Sequence, residues 1–505
     1  MQENTHQVYA KNAAVLTATG LILRAAGMLF RVYIAAQIGA AGMGLYQLIY
    51  TVYTLAVTLA TAGLSMVAAR ITAERMVQDA ATVRGSLARV LGVGLLLGVT
   101  AMALLYISAP WVAQAWLKDS TAAFPLRVLS PSLPFMAVSA VLRGYFLAVK
   151  RVGPNAWAQM FEQAVRIAVV MGLLSMLRGR DTATAVAAVV FGSAVSEMLS
   201  WAYMQWRYLG DIHHLTRKKG GCGMVQVGRL LAPIAAGQYV TGALRTIENV
   251  LVPVCLTMFL GARDTAVEQF GALKGMAMPV LFFPFSFIST LATLLLPDIT
   301  SAYVKRQMTV LQRLVSRVLL MTLSVSILAG GLYTVFAQEI GQLLYQSDEI
   351  GFYLHVLGPL APFMYLESMV DGILKGMNEQ VATFRYTMID TVVRIVLIWL
   401  LLPRMGMQGF LLVMLVSNLL TSLLNLRRLL QVVQIKLAWR RWIIGPALAA
   451  LGAAAVWHIA AAPLMQQMSL LPYALAGGCI FAACYIVLLP LCGGIKLSDI
   501  LPKKA

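Results

Sequence analysis

Apolar runs of spanning length, separated by short polar connections, recur along the whole chain. A run of about 20 apolar residues is what an α-helix needs to cross a bilayer. The pattern predicts fourteen helices. Six fall near 12–38, 45–70, 86–108, 124–149, 155–178 and 182–208. Eight follow near 227–260, 264–299, 313–337, 350–376, 383–402, 407–430, 441–461 and 471–492. The first is interrupted by Arg24 and Arg31, and the long eighth by Pro279 and Pro284. The expected fold is an all-α polytopic membrane protein. It has an N-terminal lobe over 1–208, a linker over 209–226, a C-terminal lobe over 227–430, and two additional helices with a short tail over 431–505.

The division into lobes comes from a repeat. Sliding 134–170 by 228 positions lays Pro134-Phe135-Met136 on Pro362-Phe363-Met364, Gly144 on Gly372, Glu162 on Asp390 and Arg166-Ile167 on Arg394-Ile395. What both copies keep is an acid followed four residues later by an arginine inside an apolar run. On a helix that order and spacing bring the two charges together. A unit built twice around an intramembrane ion pair is the pattern of a two-lobed transporter. Ile38-Gly39-Ala40 and Leu260-Gly261-Ala262 also correspond, 222 positions apart, and Gly20 falls on Gly242 at that offset of 222.

Composition agrees: 60% of the residues are hydrophobic and 12% charged, and the mean hydropathy is +0.79. The net charge of +19 could be taken for a nucleic-acid footprint, but its distribution is topological. With both termini cytoplasmic, the outer connections hold only Lys118, Arg127, Arg178, Arg180, Arg263 and Arg404, which satisfies the positive-inside rule. The five cysteines have neither metal nor disulfide spacing. Cys222 falls in a basic inner loop, where a reducing cytosol keeps it free. The first apolar run carries arginines and lacks a cleavage pattern, so no cleavable signal peptide is expected. Neither a phosphate-binding GxxxxGK[ST] nor an HExxH or GxSxG motif occurs. Direct ATP coupling, enzymatic activity and a cofactor are therefore not expected.

The charges within spans are the candidate chemistry. Gly20, Arg24, Gly27 and Arg31 share one helical face. The glycines offer close approach to a helix or ligand. Arg24, near mid-membrane, points to a cavity, whereas Arg31 is equally served by the outer headgroups. Glu162–Arg166 and Asp390–Arg394 serve either substrate binding with ion coupling or charge neutralisation for insertion. Glu197 is unpaired in sequence. Arg143, near the inner surface, is explained by snorkelling. Tyr46, Tyr50 and Tyr53 read as packing and interface anchoring. Arg245 and Glu248 appear in the seventh span in place of the arginine stripe, and Glu367, Asp371 and Lys375 share a face of the tenth. Glu248 and Glu367 join Glu162 and Asp390 as candidates for coupling or gating. His213 and His214 suggest metal only weakly, without further ligands at useful spacing.

The opening stretch, Thr19 through Arg24, Gly27 and Arg31 to Ile38-Gly-Ala-Ala-Gly-Met-Gly-Leu-Tyr-Gln47 and then Leu59-Ala-Thr-Ala-Gly-Leu-Ser65, resembles the polysaccharide-transport family. That family shares a superfamily with lipid II flippases and multidrug/toxin extrusion antiporters. The resemblance implies two six-helix lobes plus two helices in the bacterial cytoplasmic membrane. It implies movement of an undecaprenyl-pyrophosphate-linked saccharide, such as a peptidoglycan or spore-cortex precursor, by alternating access. Arg24 matches a cavity-facing first-helix arginine of the flippases, and Arg31 the next after a one-residue shift. The second-helix arginine of lipid II flippases has no equivalent here, where tyrosines stand. Expected partners are the lipid-linked saccharide, membrane lipids, H+ or Na+, and a cell-wall synthase, with no nucleic acid. An ion-coupled multidrug or cation antiporter and a non-transporting scaffold for envelope or spore-wall assembly are the alternatives.

Overall fold

The computed structural model describes residues 2–177, 181–212, 222–435, 438–465 and 468–493. Arg178, Arg180, His213, His214 and the Arg217–Lys219 run lie outside the described residues. Among the described residues the chain is helical, with no strand. The first half runs through α1 (Gln2–Thr61), α2 (Leu64–Gln78), α3 (Val83–Trp111), α4 (Ala123–Leu129), α5 (Ser132–Ala148), α6 (Gly153–Met176) and α7 (Thr182–Ile212). Then come α8 (Met224–Leu260), α9 (Arg263–Phe270), α10 (Met278–Val304), α11 (Met308–Val335), α12 (Ala337–Tyr345), α13 (Asp348–Leu357) and α14 (Ala361–Gly376). The chain closes with α15 (Gln380–Val433), α16 (Gly445–Val456), α17 (Ala462–Met465) and α18 (Leu470–Leu491).

Among the described residues nine helical stretches are long and apolar enough to cross a membrane, or ten if the bent pair α4–α5 is one span. Two of the nine are double. At about 1.5 Å per residue, the 60 residues of α1 far exceed a hydrocarbon core of about 30 Å. Gly39 breaks α1 with φ 68°, and Gly406 breaks α15 with φ 58°. A side chain is strained in that left-handed region, which glycine enters freely. Gly261, the repeat partner of Gly39, has φ 70° and separates α8 from α9. With those halves, α6 and the α13–α14 segment, the helices are consistent with fourteen spans. Large apolar side chains such as Leu29, Ile107 and Leu491 stand exposed, as lipid-facing positions require.

By packing, the chain divides into two units: residues 1–254 with 263–271, and residues 255–262 with 272–505. In the first, most of α8 packs with α1 to α7. Its entry is held by the segment before it: the Cys222 N–H donates to Ser86 Oγ at 3.0 Å and Arg89 Nη1 donates to the Cys222 carbonyl at 2.7 Å. Burial pushes the Cys222 thiol up, against the neighbouring Arg75 and Arg89. In the second unit α16 and α18 dock on α11 through Trp457, Phe336, Phe481 and Tyr485. The Tyr485 hydroxyl donates to the Ser324 carbonyl at 2.7 Å.

Close helix approach occurs elsewhere than the sequence suggested. A Cβ on Gly20 would meet nothing within 4 Å, and one on Gly27 only Gln163 Nε2 at 3.9 Å. No neighbouring backbone closes on either glycine, and Arg24 on the same face is exposed. One tight seam joins α1 to α9 and the residue that follows it. A Cβ on Gly44 would stand 2.0 Å from the Val267 carbonyl oxygen, and one on Gly271 2.1 Å from that of Ala40. Gly271→Ala is expected to cost about 1–3 kcal/mol through overpacking. Gly20→Ala should instead be neutral or stabilising by up to about 1 kcal/mol. Equal melting shifts for the two variants would contradict this placement of the seam.

Candidate functional site

The first intramembrane ion pair is part of a four-charge cluster. Glu162 and Arg166 lie one turn apart on α6, with Arg166 Nη2 2.6 Å from Glu162 Oε1. The same nitrogen lies 3.4 Å from Glu197 Oε1 on α7, and Arg166 Nε donates to Ser196 Oγ at 3.3 Å. Arg143 of α5 reaches Glu162 Oε2 at 3.3 Å. Two expectations are corrected here. Arg143 turns to a carboxylate rather than to the headgroups, and Glu197 is paired. Both follow from helix packing, since α6 and α7 bring the acids within reach of one guanidinium. A charge in hydrocarbon is stable only with such partners.

Tyr46, Tyr50 and Tyr53 pack ring to ring beside this cluster. With Met136, Ser193, Arg166 and Glu197 they line a cavity of about 90 Å³. The Tyr53 hydroxyl hydrogen-bonds Ser132 Oγ at 2.6 Å, and Tyr46 stacks on Tyr50 at 5.7 Å. Arg31, partly exposed, lies within electrostatic reach of Tyr50.

The repeat survives in three dimensions. On α15, Arg394 Nη2 lies 2.5 Å from Asp390 Oδ2, and Arg394 Nε donates to Ser417 Oγ at 3.0 Å. Ser417 Oγ in turn donates to Asp390 Oδ1 at 2.5 Å. Each half therefore holds an acid, an arginine one turn on, and a serine from the next span that accepts the Nε proton. The halves differ beside the serine. Where the first has Glu197, the second has Asn418, whose amide donates to the Met414 carbonyl at 2.7 Å. The position of Arg143 is taken by Asp371, which pairs with Lys375 on its own helix at 2.6 Å.

A larger cavity, about 410 Å³, lies within the first unit between α1 and α8. Gln47, Tyr50, Thr51, Thr54, Leu55 and Thr58 form one wall. Gln238, Thr241, Gly242, Arg245, Thr246 and Asn249 form the other. Both walls follow one spacing, with offsets of 3, 4, 7, 8 and 11 from the first residue, so each is a single helical face. Among the described residues its lining holds one cation, Arg245, and no acid. Tyr50 and Thr54 line both cavities.

The remaining predicted residues lie outside both cavity linings. Arg24 is exposed yet engaged by another group. Glu248 is buried and Glu367 half-buried, and each is likewise engaged. Among the described residues no cluster of His, Cys, Asp and Glu could hold a metal.

Comparison with known proteins places this geometry. The family described as polysaccharide biosynthesis protein matches residues 9–285, more than half of the chain, and MatE matches residues 267–400. Stage V sporulation protein B of Bacillus subtilis (strain 168) is 26% identical over 452 residues, covering 87% of this chain and 86% of that protein. Lipid II flippase MurJ of the same organism is 24% identical over 430 residues, covering 78% and 77%. The inward closed structure of lipid II flippase MurJ superposes with a TM-score of 0.68 at 13% identity, over 95% of this chain and 98% of that one. An inward-facing multidrug resistance MATE transporter of the MOP superfamily gives 0.66 at 12%, over 84% and 100%. At those identities the two structures speak for the fold. The chain thus has the fold of the MOP-superfamily transporters and belongs to the polysaccharide biosynthesis protein family.

Proposed function

We propose that the protein is a flippase that moves an anionic lipid-linked saccharide across the bacterial cytoplasmic membrane by alternating access, with both termini cytoplasmic. One observation carries this reading. The α1–α8 cavity is lined by amides, hydroxyls and Arg245, with no acid among its described lining residues. A guanidinium in a low-dielectric cavity favours an anion and can engage phosphate through two parallel hydrogen bonds. In this reading Arg24 and Arg31, on the first helix, assist the same anion. Arg166 and Arg394 are already held by carboxylates, so they would act on substrate only on leaving them. Glu162, Asp390, Glu248 and Glu367 are the candidates for H+ or Na+ coupling. The names of the relatives, a sporulation protein and a lipid II flippase, support a peptidoglycan or spore-cortex precursor as the saccharide.

An ion-coupled cation antiporter is the second reading. The observation that favours it is Glu197, a second acid beside Glu162 on the wall of the tyrosine-lined cavity.

Reconstitution into vesicles with a labelled lipid-linked saccharide, followed by an outside-access assay, tests the first reading. Protein-dependent exposure of label is expected, and none would defeat it. Topology is checked separately with single cysteines placed at Lys118 and Lys218 in an otherwise cysteine-free chain. Only the first is expected to react with an impermeant outside reagent, and equal labelling would overturn the topology.

A further inference from the structure

The threonines of the α1–α8 cavity have already used their protons. Thr51 donates to the Gln47 carbonyl at 2.8 Å, Thr54 to that of Tyr50 at 2.7 Å and Thr58 to that of Thr54 at 2.8 Å. On the facing wall Thr241 donates to the Gly237 carbonyl at 3.0 Å and Thr246 to the Gly242 carbonyl at 2.9 Å. A hydroxyl carries one donor and two acceptor lone pairs. What these five leave for a ligand is acceptor capacity, and each must give up a hydrogen bond to donate.

We infer that the α1–α8 cavity takes the sugar portion of the lipid-linked substrate, and that its back-bonded threonines select a ligand rich in hydroxyl or amide protons. The inference rests on the flippase reading above and adds to it which part of the substrate sits here. A phosphate or pyrophosphate oxygen brings no proton to five acceptor oxygens. It finds its donors at Arg245 and at the amides of Gln47, Gln238 and Asn249, and meets lone-pair repulsion along the threonine faces. A saccharide hydroxyl or N-acetyl N–H does the reverse, donating to the threonines and accepting from the amides. The Tyr50 ring, 44% exposed, adds an apolar face of the kind a sugar ring covers. The phosphate then lies against Arg245, and the sugar runs along the threonine faces beside it.

The test uses full-length protein in vesicles with two labelled lipids, the lipid pyrophosphate bearing a saccharide and the same lipid pyrophosphate without sugar. Wild type is expected to expose the saccharide-bearing lipid at least about tenfold faster, as loss of two or three ordinary hydrogen bonds implies. In the triple variant Thr51→Val, Thr54→Val and Thr241→Val, the saccharide-bearing lipid should slow by about tenfold and the bare lipid remain unchanged. Serine at the same three positions restores the acceptors and should restore the preference, which separates recognition from a folding defect. Equal handling of the two lipids by wild type, or an unchanged preference in the valine variant, would overturn the inference while leaving the flippase reading intact. Failure of wild type to move either lipid would overturn both.

Discussion

Arg394→Ala is expected to destabilise the protein by about 3–5 kcal/mol, the range found when one partner of a buried ion pair is removed. The Asp390 side chain is only 5% exposed. Without Arg394 its carboxylate keeps the Ser417 hydroxyl, a neutral donor that cannot balance the charge. The corresponding change in the first half, Arg166→Ala, should cost less. Arg143 remains 3.3 Å from Glu162 and can settle between the acids, although Glu197 loses its guanidinium contact at 3.4 Å. Unfolding in detergent or nanodiscs, compared for the two variants, reads the difference directly. Adding Asp390→Asn to Arg394→Ala should return much of the lost stability, because no buried charge is then unpaired. A larger loss for Arg166→Ala, or no recovery in the double variant, would show that the clusters are not held together as described.

The second large effect concerns transport rather than stability. Arg245 is exposed to the cavity, and no carboxylate shares its lining among the described residues. Arg245→Ala should therefore leave the melting temperature near that of wild type while lowering the transport rate at least tenfold, as loss of a charge-assisted contact of about 1.5–3 kcal/mol implies. Arg245→Lys should restore only part of the rate, since a point charge replaces the bidentate fork. Loss of stability without a specific loss of transport would remove Arg245 from the site.

Much of the architecture was legible because it is one-dimensional. Spanning runs are local in sequence, and so is the acid-to-arginine spacing of Glu162–Arg166 and Asp390–Arg394. Gly39 and Gly261 were visible as repeat partners, and both adopt the left-handed conformation. The cluster beyond the first pair was not legible. Arg143 and Glu197 lie 19 residues before and 35 residues after Glu162, and only the packing of α5, α6 and α7 brings them together. Glu197 looked unpaired because a helical periodicity cannot report a partner on another helix.

The cavity faces did leave a trace. Gln47, Thr51, Thr54 and Thr58 fall on one face of an apolar helix, and Gln238, Thr241, Arg245 and Asn249 on one face of another. Amides and hydroxyls cost far less to insert than arginines, so the signal was weak beside Arg24 and the tyrosines. Gly20 and Gly27 mark the opposite limit. Small residues permit close approach, but whether a helix takes that space depends on the neighbours.

An anionic saccharide lipid and a cation are the two cargoes to be told apart. The most direct measurement is a side-by-side vesicle assay with the same purified protein, following a labelled lipid-linked saccharide in one arm and a lipophilic cation in the other. Protein-dependent movement of the saccharide lipid is expected, with loss of that movement in Arg245→Ala and no movement of the cation. Movement of the cation with the saccharide lipid left behind would rule out the flippase function.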